Sequence, residues 1–532
     1  MPTSLTPLHD LFILIYLGSI IRDWERTQIM PTIGGTALSN ANRVGEREAI
    51  VTAERQWTWR ALESDIAAAA AALESFGVRK HDRVAILSAN SAEFIIASHA
   101  ASCLGAIVVP VNTRLAAPEI AHILNDSGSA VLAFSPADAH LAEAASRLAA
   151  SAALLSLGPS PRYPDVLAGG YGDPVHDDRA VEQDDAFILY TSGTTGKPKG
   201  VLLDHHRAVW AAMAQIVSLG LRDGDRYLHL APMYHSGGMT FLNATTLLGG
   251  THIVVPKFDA GTVLELVEQH RASWLFAVPT MYQRILNTYE GGGADLTSWR
   301  VGIFGAAPMP AAAIERLLAA FPHVSFFQQC GQTEAGPTGI YSTMEQVRSR
   351  PQSSGHLAQP FVEARVVDPS GNDTSPGQVG ELVFRGEAIT KGYWNQPQAT
   401  AEVIIDGWLH TGDLMQVYED GAMRLVDRLR DVIITGGRNV YSAEVELAIA
   451  DHPEVTDVAV IGRPDPEWGE TVVAFITAAD GSDVTPASIR QYCASRIADY
   501  KIPREFIFAV VPRNGGGKLQ KHLLRSELKV NS

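Results

Sequence analysis

An α/β protein is predicted, with a large N-terminal part built from two α/β units and a small β-barrel, followed by a small α+β unit at the C-terminus. Three observations carry that expectation. Strand-like apolar runs alternate with helix-length segments before the stretch Tyr190 to Gly200 and again after it, the pattern of βαβ units and a mostly parallel sheet. From Gly355 to Arg424 the texture changes to short apolar runs broken by Pro and Gly, as in a small β-barrel or sheet. From about Asp431, strand and helix alternate once more over a length suited to one small independent domain.

Thr58 is placed to cap a helix that runs through an alanine-rich stretch to Phe76 and stops at Gly77. Arg83 to Leu87 is expected as a strand, Ala92 to Leu104 as a helix and Ala106 to Val111 as a strand. Phe187 to Tyr190, and the segment VLLDH after Gly200, are expected as short strands flanking a glycine-rich loop. The alternation resumes with a helix over Ala208 to Leu219, a strand over Thr251 to Val255, a helix over Val263 to His270 and a strand over Trp274 to Val278. Ala364 to Val367 and Gly380 to Phe384 are the apolar runs of the β part. Val440 to Ala450, Thr456 to Ile461, Thr471 to Thr477 and Pro486 to Arg496 supply the last alternation. No internal repeat or long low-complexity linker interrupts the chain.

The 532 residues are 46% apolar and 19% charged, an ordinary globular composition with length for several domain-sized units. A formal charge of −16 argues against nucleic acid or anionic membrane as a partner, because phosphate polymers need basic surface in bulk; a nucleotide must be met by local positive charge. Cys103, Cys330 and Cys493 lie far apart with no CxxC or Cys/His spacing, so neither a disulfide framework nor a zinc site is expected, and a reducing cytoplasm is. The apolar run Leu11 to Ile21 is too short to span a bilayer and follows His9 and Asp10 rather than a basic segment, so no signal peptide and no integral span is expected. It is expected to dock as a helix on the body of the protein; peripheral membrane contact, or a shorter chain starting at Met30, are the alternatives. Val530-Asn531-Ser532 is not a peroxisomal address.

The most informative stretch is YTSGTTGKPKG, Tyr190 to Gly200. Gly193, Gly196 and Gly200 let the backbone turn and expose N–H groups to an anion. Thr191, Ser192, Thr194 and Thr195 add hydroxyl donors, and Lys197 and Lys199 add positive charge. The spacing is not that of a Walker A loop: two residues separate Gly193 from Gly196-Lys197 where that motif has four, and Pro198 stands where its hydroxyl residue would begin a helix. A Rossmann fingerprint is absent here too. Without a second observation, a polar turn between strands stays open as the less favoured reading of such a cluster.

Further motifs supply that second observation. Gln328 to Glu334, QQCGQTE, follows an expected strand and presents Glu334, an oxygen ligand suited to magnesium shared with phosphates. Trp408 to Asp413 places Asp413 just after a tight turn, where a carboxylate can accept hydrogen bonds from ribose hydroxyls. In DRLRDVIITGGRNVYSAEVE, Asp427 to Glu446, Arg428 can reach a ribose or phosphate, and Gly436-Gly437 lets backbone approach a ligand closely. Lys518 ends a triple-glycine loop, a setting that suits an electrostatic catalyst.

In order and spacing these pieces resemble, from about residue 40 to 526, the adenylate-forming superfamily, and most of all its bacterial fatty-acyl and aromatic-acyl CoA synthetases. NTRL (Asn112 to Leu115), GAAPMP (Gly305 to Pro310), YWNQPQAT (Tyr393 to Thr400) and GGRNVYSAEVE carry the closer likeness. The resemblance implies an N-terminal extension over residues 1–35, a large ATP- and acid-binding domain over 36–428, a hinge at 429–430 centred on Arg430, and a small mobile domain over 431–532. It implies that Thr191 to Lys199 wrap the β- and γ-phosphates of ATP, that Gly305, Ala306 and Ala307 line the adenine and acyl slots, and that Cys330, Gly331, Gln332 and Thr333 belong to the nucleotide site. Glu334 and Thr194 would hold Mg2+, Asp413 and Arg428 the ribose, and Lys518 would bridge the acid and the α-phosphate. After adenylation the small domain would rotate, withdraw Lys518 and bring Gly436 and Gly437 to a pantetheine tunnel for coenzyme A. Two departures stand out: Cys330 replaces the aromatic ring that usually stacks on adenine, and Gly515-Gly516 replaces a hydroxyl-bearing turn beside the lysine.

Relatives that activate amino acids carry an aspartate for the amine near the segment that reads Tyr234 to Met239 here, and this segment has no acid. The expected substrate is therefore a fatty or aromatic carboxylic acid without a free α-amine. His235 resembles the residue at the junction of acyl pocket and thiol tunnel, and the small residues Gly237, Gly238, Gly305, Ala306 and Ala307 imply a roomy apolar pocket. The function expected is an ATP-dependent acid–thiol ligase that makes acyl-CoA through an acyl-adenylate. A stand-alone ligase loading an acyl carrier protein is the near alternative; a luciferase-like oxygenase and an inactive acyl-binding homologue are the distant ones.

Overall fold

A computed structural model describes residues 31–149, 152–191, 198–289, 292–307, 309–513 and 519–530. The apolar run Leu11 to Ile21, the loop residues Ser192, Gly193, Thr194, Thr195, Gly196 and Lys197, and the glycine-lysine segment ending at Lys518 lie outside the described residues.

The helix Trp59–Ser75 forms where expected, capped by Thr58, whose hydroxyl accepts from Ala61 N, and ended by Gly77 at φ +93°, a left-handed turn that glycine adopts without a Cβ penalty. Alanines dominate its buried face, which lets it pack closely on the helix Ala92–Cys103. Beside these helices stands a seven-stranded sheet. Arg83–Leu87, Ile107–Val111, Val131–Phe134 and Ala153–Ser156 pair in parallel, Asp185–Thr191 joins Ile107–Val111 in parallel, and Lys199–Asp204 returns antiparallel. The parallel strands are nearly all apolar because helices cover both faces.

The second sheet has nine strands, with Trp274–Ala277, Val301–Gly305 and Ser325–Gly331 parallel to Arg226–His229 and Thr251–Val254. The two α/β units are not strictly sequential. Glu48–Val51 and Gln56–Thr58 pair onto the second sheet beside Thr251–Val254, although the chain next builds the first sheet. Gly392–Tyr393 returns from the β part to pair with Lys199–Asp204 of the first sheet. Such crossings cover sheet edges with segments distant in sequence, which local periodicity does not reveal.

Val362–Val367, Val379–Gly386, Ile404–Ile405, Trp408–Val417 and Met423–Arg428 form a five-stranded antiparallel sheet. A one-turn 3-10 helix, Leu429–Asp431, follows at once. The last unit packs the helices Ser442–Ala450 and Pro486–Ala494 on a sheet in which Val455–Asp465 and Gly469–Ala478 form the long central hairpin. The helix Ile33–Arg43 begins inside the segment expected as an extension; its Gly34 approaches Cys103 so closely that an added Cβ would lie 2.7 Å from Cys103 N.

Candidate active site

Among the expected site residues of the large part, Thr191, Gly305, Cys330 and Gly331 lie at the carboxyl ends of strands of the two α/β sheets, where such sheets leave a crevice for ligands, whereas Asp413 and Arg428 lie on the antiparallel sheet. Asp185–Thr191 and Lys199–Asp204 close the feet of the glycine-rich loop through the pair Thr191 and Lys199. Gly200 must be glycine: a Cβ there would sit 2.5 Å from Ile188 Cγ2. Tyr190 anchors the strand by donating its hydroxyl to Asp126 at 2.6 Å.

The acidic motif reaches the foot of this loop through Tyr393 and Lys199. Ser325–Gly331 ends at Cys330 and Gly331, and the 3-10 turn Thr333–Ala335 presents Glu334, with Gln332 at its N-cap. Gly331 passes so near Thr338 that a Cβ would lie 2.2 Å from its carbonyl oxygen. Buried Gln215 pins both feet of this hairpin, accepting from Gln329 Nε2 at 2.7 Å and donating to Pro337 O at 3.1 Å. Tyr393 donates its hydroxyl to Glu334 Oε1 at 2.9 Å, and Lys199 Nζ lies 5.0 Å from the centre of the same ring. Three separate sequence motifs thus meet at one phenol.

That phenol is delivered by a strap over residues 386–394 that crosses the phosphate-loop strands. Arg207 Nε donates to Ile389 O at 2.7 Å, Thr390 N to Glu334 O at 2.9 Å, Thr390 Oγ1 to Leu202 O at 2.7 Å, and Lys391 pairs with Asp185 at 2.6 Å. Burial first, then the Glu334 carboxylate, holds the Tyr393 phenol protonated well above its usual range, so it stays a donor.

Asp413 and Arg428 face each other across adjacent strands and form an ion pair of 2.8 Å. Gly412, at φ +71°, supplies the turn that exposes Asp413 N to Thr411 Oγ1 at 3.0 Å. Cys330 lies within the field of both charges; enclosure by protein first, with Asp413 adding and Arg428 opposing, pushes its thiol up to about 12. The thiol is therefore neutral and unreactive at neutral pH.

Gly305 ends its strand against the neighbouring one, where a Cβ would be 2.4 Å from Gln329 O. Ala306 takes φ +65°, a left-handed conformation costly for a residue with a Cβ, and Ala306 and Ala307 are both exposed. Gly238 packs within 2.2 Å (as a Cβ) of Pro232 O, whereas a Cβ at Gly237 would meet nothing within 4 Å. Gly237 thus borders open space at the first turn of the helix Ser236–Leu247. His235 is the N-cap residue of that helix, its ring 4.9 Å from Tyr234. It keeps accessible surface although protein crowds around it; that crowding, and the Arg114 guanidinium second, push its pKa down to about 4. Ser236 Oγ lies 2.9 Å from Thr333 Oγ1, joining this helix to the acidic motif.

Gly436 and Gly437, at φ +55° and +74°, are the two-residue turn of the hairpin Ile433–Thr435 and Arg438–Val440. Gly436 N donates to Trp468 O at 2.8 Å, so this turn packs within the small unit. Arg430 lies in the 3-10 turn, 3.9 Å from Asp431, which is in turn held by Arg525 at 2.7 Å. Just before that turn, buried Asp427 accepts from the Ser442 hydroxyl at 2.8 Å, and Lys521 Nζ donates to the same hydroxyl at 2.7 Å. The network ties the last strand of the large part to the first helix and the C-terminal helix of the small one. Asp427, Tyr393 and Gln215 were not among the expected site residues; only Tyr393 and Asp427 fell inside motifs that could have drawn attention to them.

Among the described residues no group of three or more His, Cys, Asp or Glu is placed to hold a metal ion. Glu334 offers one carboxylate, whose Oε2 accepts no hydrogen bond among the described residues, a donor set that fits a hard cation sharing its remaining positions with phosphate and water. No described helix is long and apolar enough to cross a membrane.

Residues 38–394 match the AMP-binding enzyme family and residues 444–518 the AMP-binding enzyme C-terminal domain. The chain is 39% identical over 470 residues to feruloyl-CoA synthase of an Amycolatopsis species, covering 88% of this chain and 93% of the relative. It is 38% identical over 461 residues to a long-chain-fatty-acid–CoA ligase of Mycobacterium tuberculosis, covering 86% and 90%. Among solved structures, o-succinylbenzoate CoA synthetase from Bacillus subtilis, in complex with its acyl-adenylate intermediate, aligns with a TM-score of 0.83 at 29% identity over 93% of this chain and 97% of that one. With both sequence modules present and relatives of 38–39% identity covering most of both chains, the chain belongs to the AMP-binding, adenylate-forming enzyme family, in its acyl-CoA synthetase branch.

Proposed function

We propose that this enzyme adenylates a fatty or aromatic carboxylic acid lacking a free α-amine and passes the acyl group to coenzyme A, releasing pyrophosphate and AMP. The observation that carries the proposal is the meeting of Lys199, Tyr393 and Glu334, with the Asp413–Arg428 ion pair acting on Cys330 from the antiparallel sheet.

In the first half-reaction a carboxylate oxygen attacks the α-phosphorus of ATP and the bond to pyrophosphate breaks, so two anions must approach. Thr191, Ser192, Gly193, Thr194, Thr195, Gly196 and Lys199 take the β- and γ-phosphates, Asp413 and Arg428 the ribose, and Ala307, Cys330, Gly331, Gln332 and Thr333 flank the base. Glu334 and Thr194 are the residues that would hold magnesium, which when bound neutralises phosphate charge. Lys518 bridges the acid and the α-phosphate. In the second half-reaction the thiol sulfur attacks the acyl carbon, AMP leaves, and the thiol proton passes to solvent. His235, neutral at this pH, can accept a hydrogen bond there without adding charge. Movement about Arg430 would carry Lys518 away and bring Gly436 and Gly437 to the thiol path.

The substrate class rests on the absence of an acid in Tyr234 to Met239, on the open space beside Gly237 and on the exposure of Ala306 and Ala307. The names of the relatives, one acting on an aromatic acid and one on long-chain acids, support the same class. Three free cysteines agree with a reducing, cytoplasmic setting. AMP release measured over a panel of aliphatic and aromatic acids, with CoA, with an acyl carrier protein and with neither, tests the proposal. Acid-dependent AMP release that CoA accelerates, with acyl-CoA formed one for one, is expected; acceleration by the carrier alone would replace CoA as acceptor, and release without any acid would end the proposal.

A further inference from the structure

Tyr393 joins two functional groups that its own motif does not contain. Its backbone is fixed by strand pairing, Tyr393 opposite Val201 and Gly392 opposite Leu202, and by Tyr393 N donating to Thr400 Oγ1 at 2.9 Å. Gly392, at φ +135°, sits so close to Thr400 that a Cβ would lie 2.5 Å from Thr400 Cγ2, so a side chain at 392 would displace the strap. From this fixed base the ring stands between Lys199 and Glu334. The hydroxyl reaches Glu334 Oε1 at 2.9 Å, while Lys199 Nζ sits 5.0 Å from the ring centre.

The placement has two consequences. A carboxylate that accepts a hydrogen bond on one oxygen has its rotation fixed, and the second oxygen is then presented in one direction. A lysine held over a ring is kept from a carboxylate that would otherwise neutralise it, since a flexible ammonium readily finds an acid within reach. Both consequences favour a cation at Glu334 Oε2.

We propose that Tyr393 is a positioning residue for Glu334: its hydroxyl fixes Oε1, its ring holds Lys199 apart, and Oε2 is thereby left directed at a divalent cation bound with the nucleotide. The inference rests on the assignment of that cation to Glu334. The two parts of the role are separable, because Tyr393→Phe keeps the ring and loses only the hydroxyl, whereas Tyr393→Ala loses both.

The test is Mn2+ binding in the presence of a nonhydrolysable ATP analogue, followed by the electron paramagnetic resonance of free Mn2+, in the wild-type full chain, Tyr393→Phe, Tyr393→Ala, Glu334→Gln and the double variant Tyr393→Phe/Glu334→Gln. Tyr393→Phe is expected to weaken Mn2+ about tenfold, the usual cost of losing a partner that orients a metal ligand, and Tyr393→Ala to weaken it further. In the Glu334→Gln background the Tyr393→Phe change should have no additional effect, a coupling that a general packing role would not produce. Wild-type Mn2+ affinity in Tyr393→Phe, or an equal loss in both backgrounds, overturns the positioning role while leaving Glu334 as the ligand. Wild-type affinity in Glu334→Gln removes the ligand assignment itself, and the inference with it.

Discussion

Cys330 stands where the family resemblance leads to the expectation of an aromatic ring against adenine, and it lies within the field of Asp413 and Arg428, the pair proposed to hold the ribose. Base–aromatic stacking contributes roughly 1 to 3 kcal/mol in nucleic-acid binders, and a neutral thiol supplies little of it. Cys330→Tyr is therefore expected to lower the KM for ATP several-fold with little change in kcat, read from initial rates of pyrophosphate release; an unchanged KM would show that the base is held elsewhere. At this scale the sequence was most legible where chemistry sits in one short run. The loop Tyr190 to Gly200 and the acid Glu334 announce themselves through glycine, hydroxyl and charge. Tyr393 does not, because its role comes from meeting a carboxylate 59 residues away, and no local pattern encodes that meeting.

Elements were legible to the degree that their periodicity is local. The helix Trp59–Ser75 and the strands Arg83–Leu87 and Ile107–Val111 follow their expected limits within a residue or so. The helix Ser236–Leu247 was not anticipated: it opens on two glycines and is apolar on nearly every face, so it shows no amphipathic stripe. It is buried against both α/β units, and its Thr246 helps join them. Thr246 Oγ1 lies 3.4 Å from His99 Nε2 and 3.3 Å from His252 Nε2, and His252 Nδ1 is 3.0 Å from His229 Nε2. All three histidines are fully buried, and that burial lowers His99 to about 4, His229 to about 3 and His252 well below its ordinary value. They are neutral in the folded protein but titrate near 6.5 when unfolded, so the unfolded chain binds more protons as pH falls below that value. Stability is thus unaffected by these groups above about pH 7 and falls below pH 6.5, down to about 4 for His99 and about 3 for His229, with a slope of about 1.4 kcal/mol per pH unit for each histidine in the middle of its window. Thermal melts from pH 7.5 to 4.5 should show a steep decline beginning near pH 6.5. A flat profile down to pH 5 would mean that these side chains are not held neutral.

On the scale of the whole molecule, the change of texture near Gly355 and the alternation after Asp431 pointed to a β part and a small terminal unit, and the architecture has both. What composition and pattern did not reveal is how the chain laces the parts together. Glu48–Val51 crosses to the second sheet and Gly392–Tyr393 to the first, so neither α/β unit is complete without a distant segment. The large part is therefore expected to behave as one body. By contrast, the connection to the last unit runs through a single 3-10 turn, Leu429–Asp431, with Asp427, Ser442 and Lys521 bonded across it. Such a joint suits the proposed alternation, in which Lys518 is present for adenylation and withdrawn for thioester formation. The central claim is that one active site performs these two steps with different parts of the small unit. The measurement that tests it most directly follows each half-reaction separately, as acid-dependent pyrophosphate release and as acyl-CoA formation from supplied acyl-adenylate, in Lys518→Ala and Arg430→Pro. Lys518→Ala should slow the first by roughly 10² to 10³ and leave the second nearly intact, as for loss of one electrostatic donor, while Arg430→Pro, which stiffens the joint, should impair the second more than the first. Equal loss of both half-reactions in Lys518→Ala, or normal thioester formation in Arg430→Pro, would contradict it.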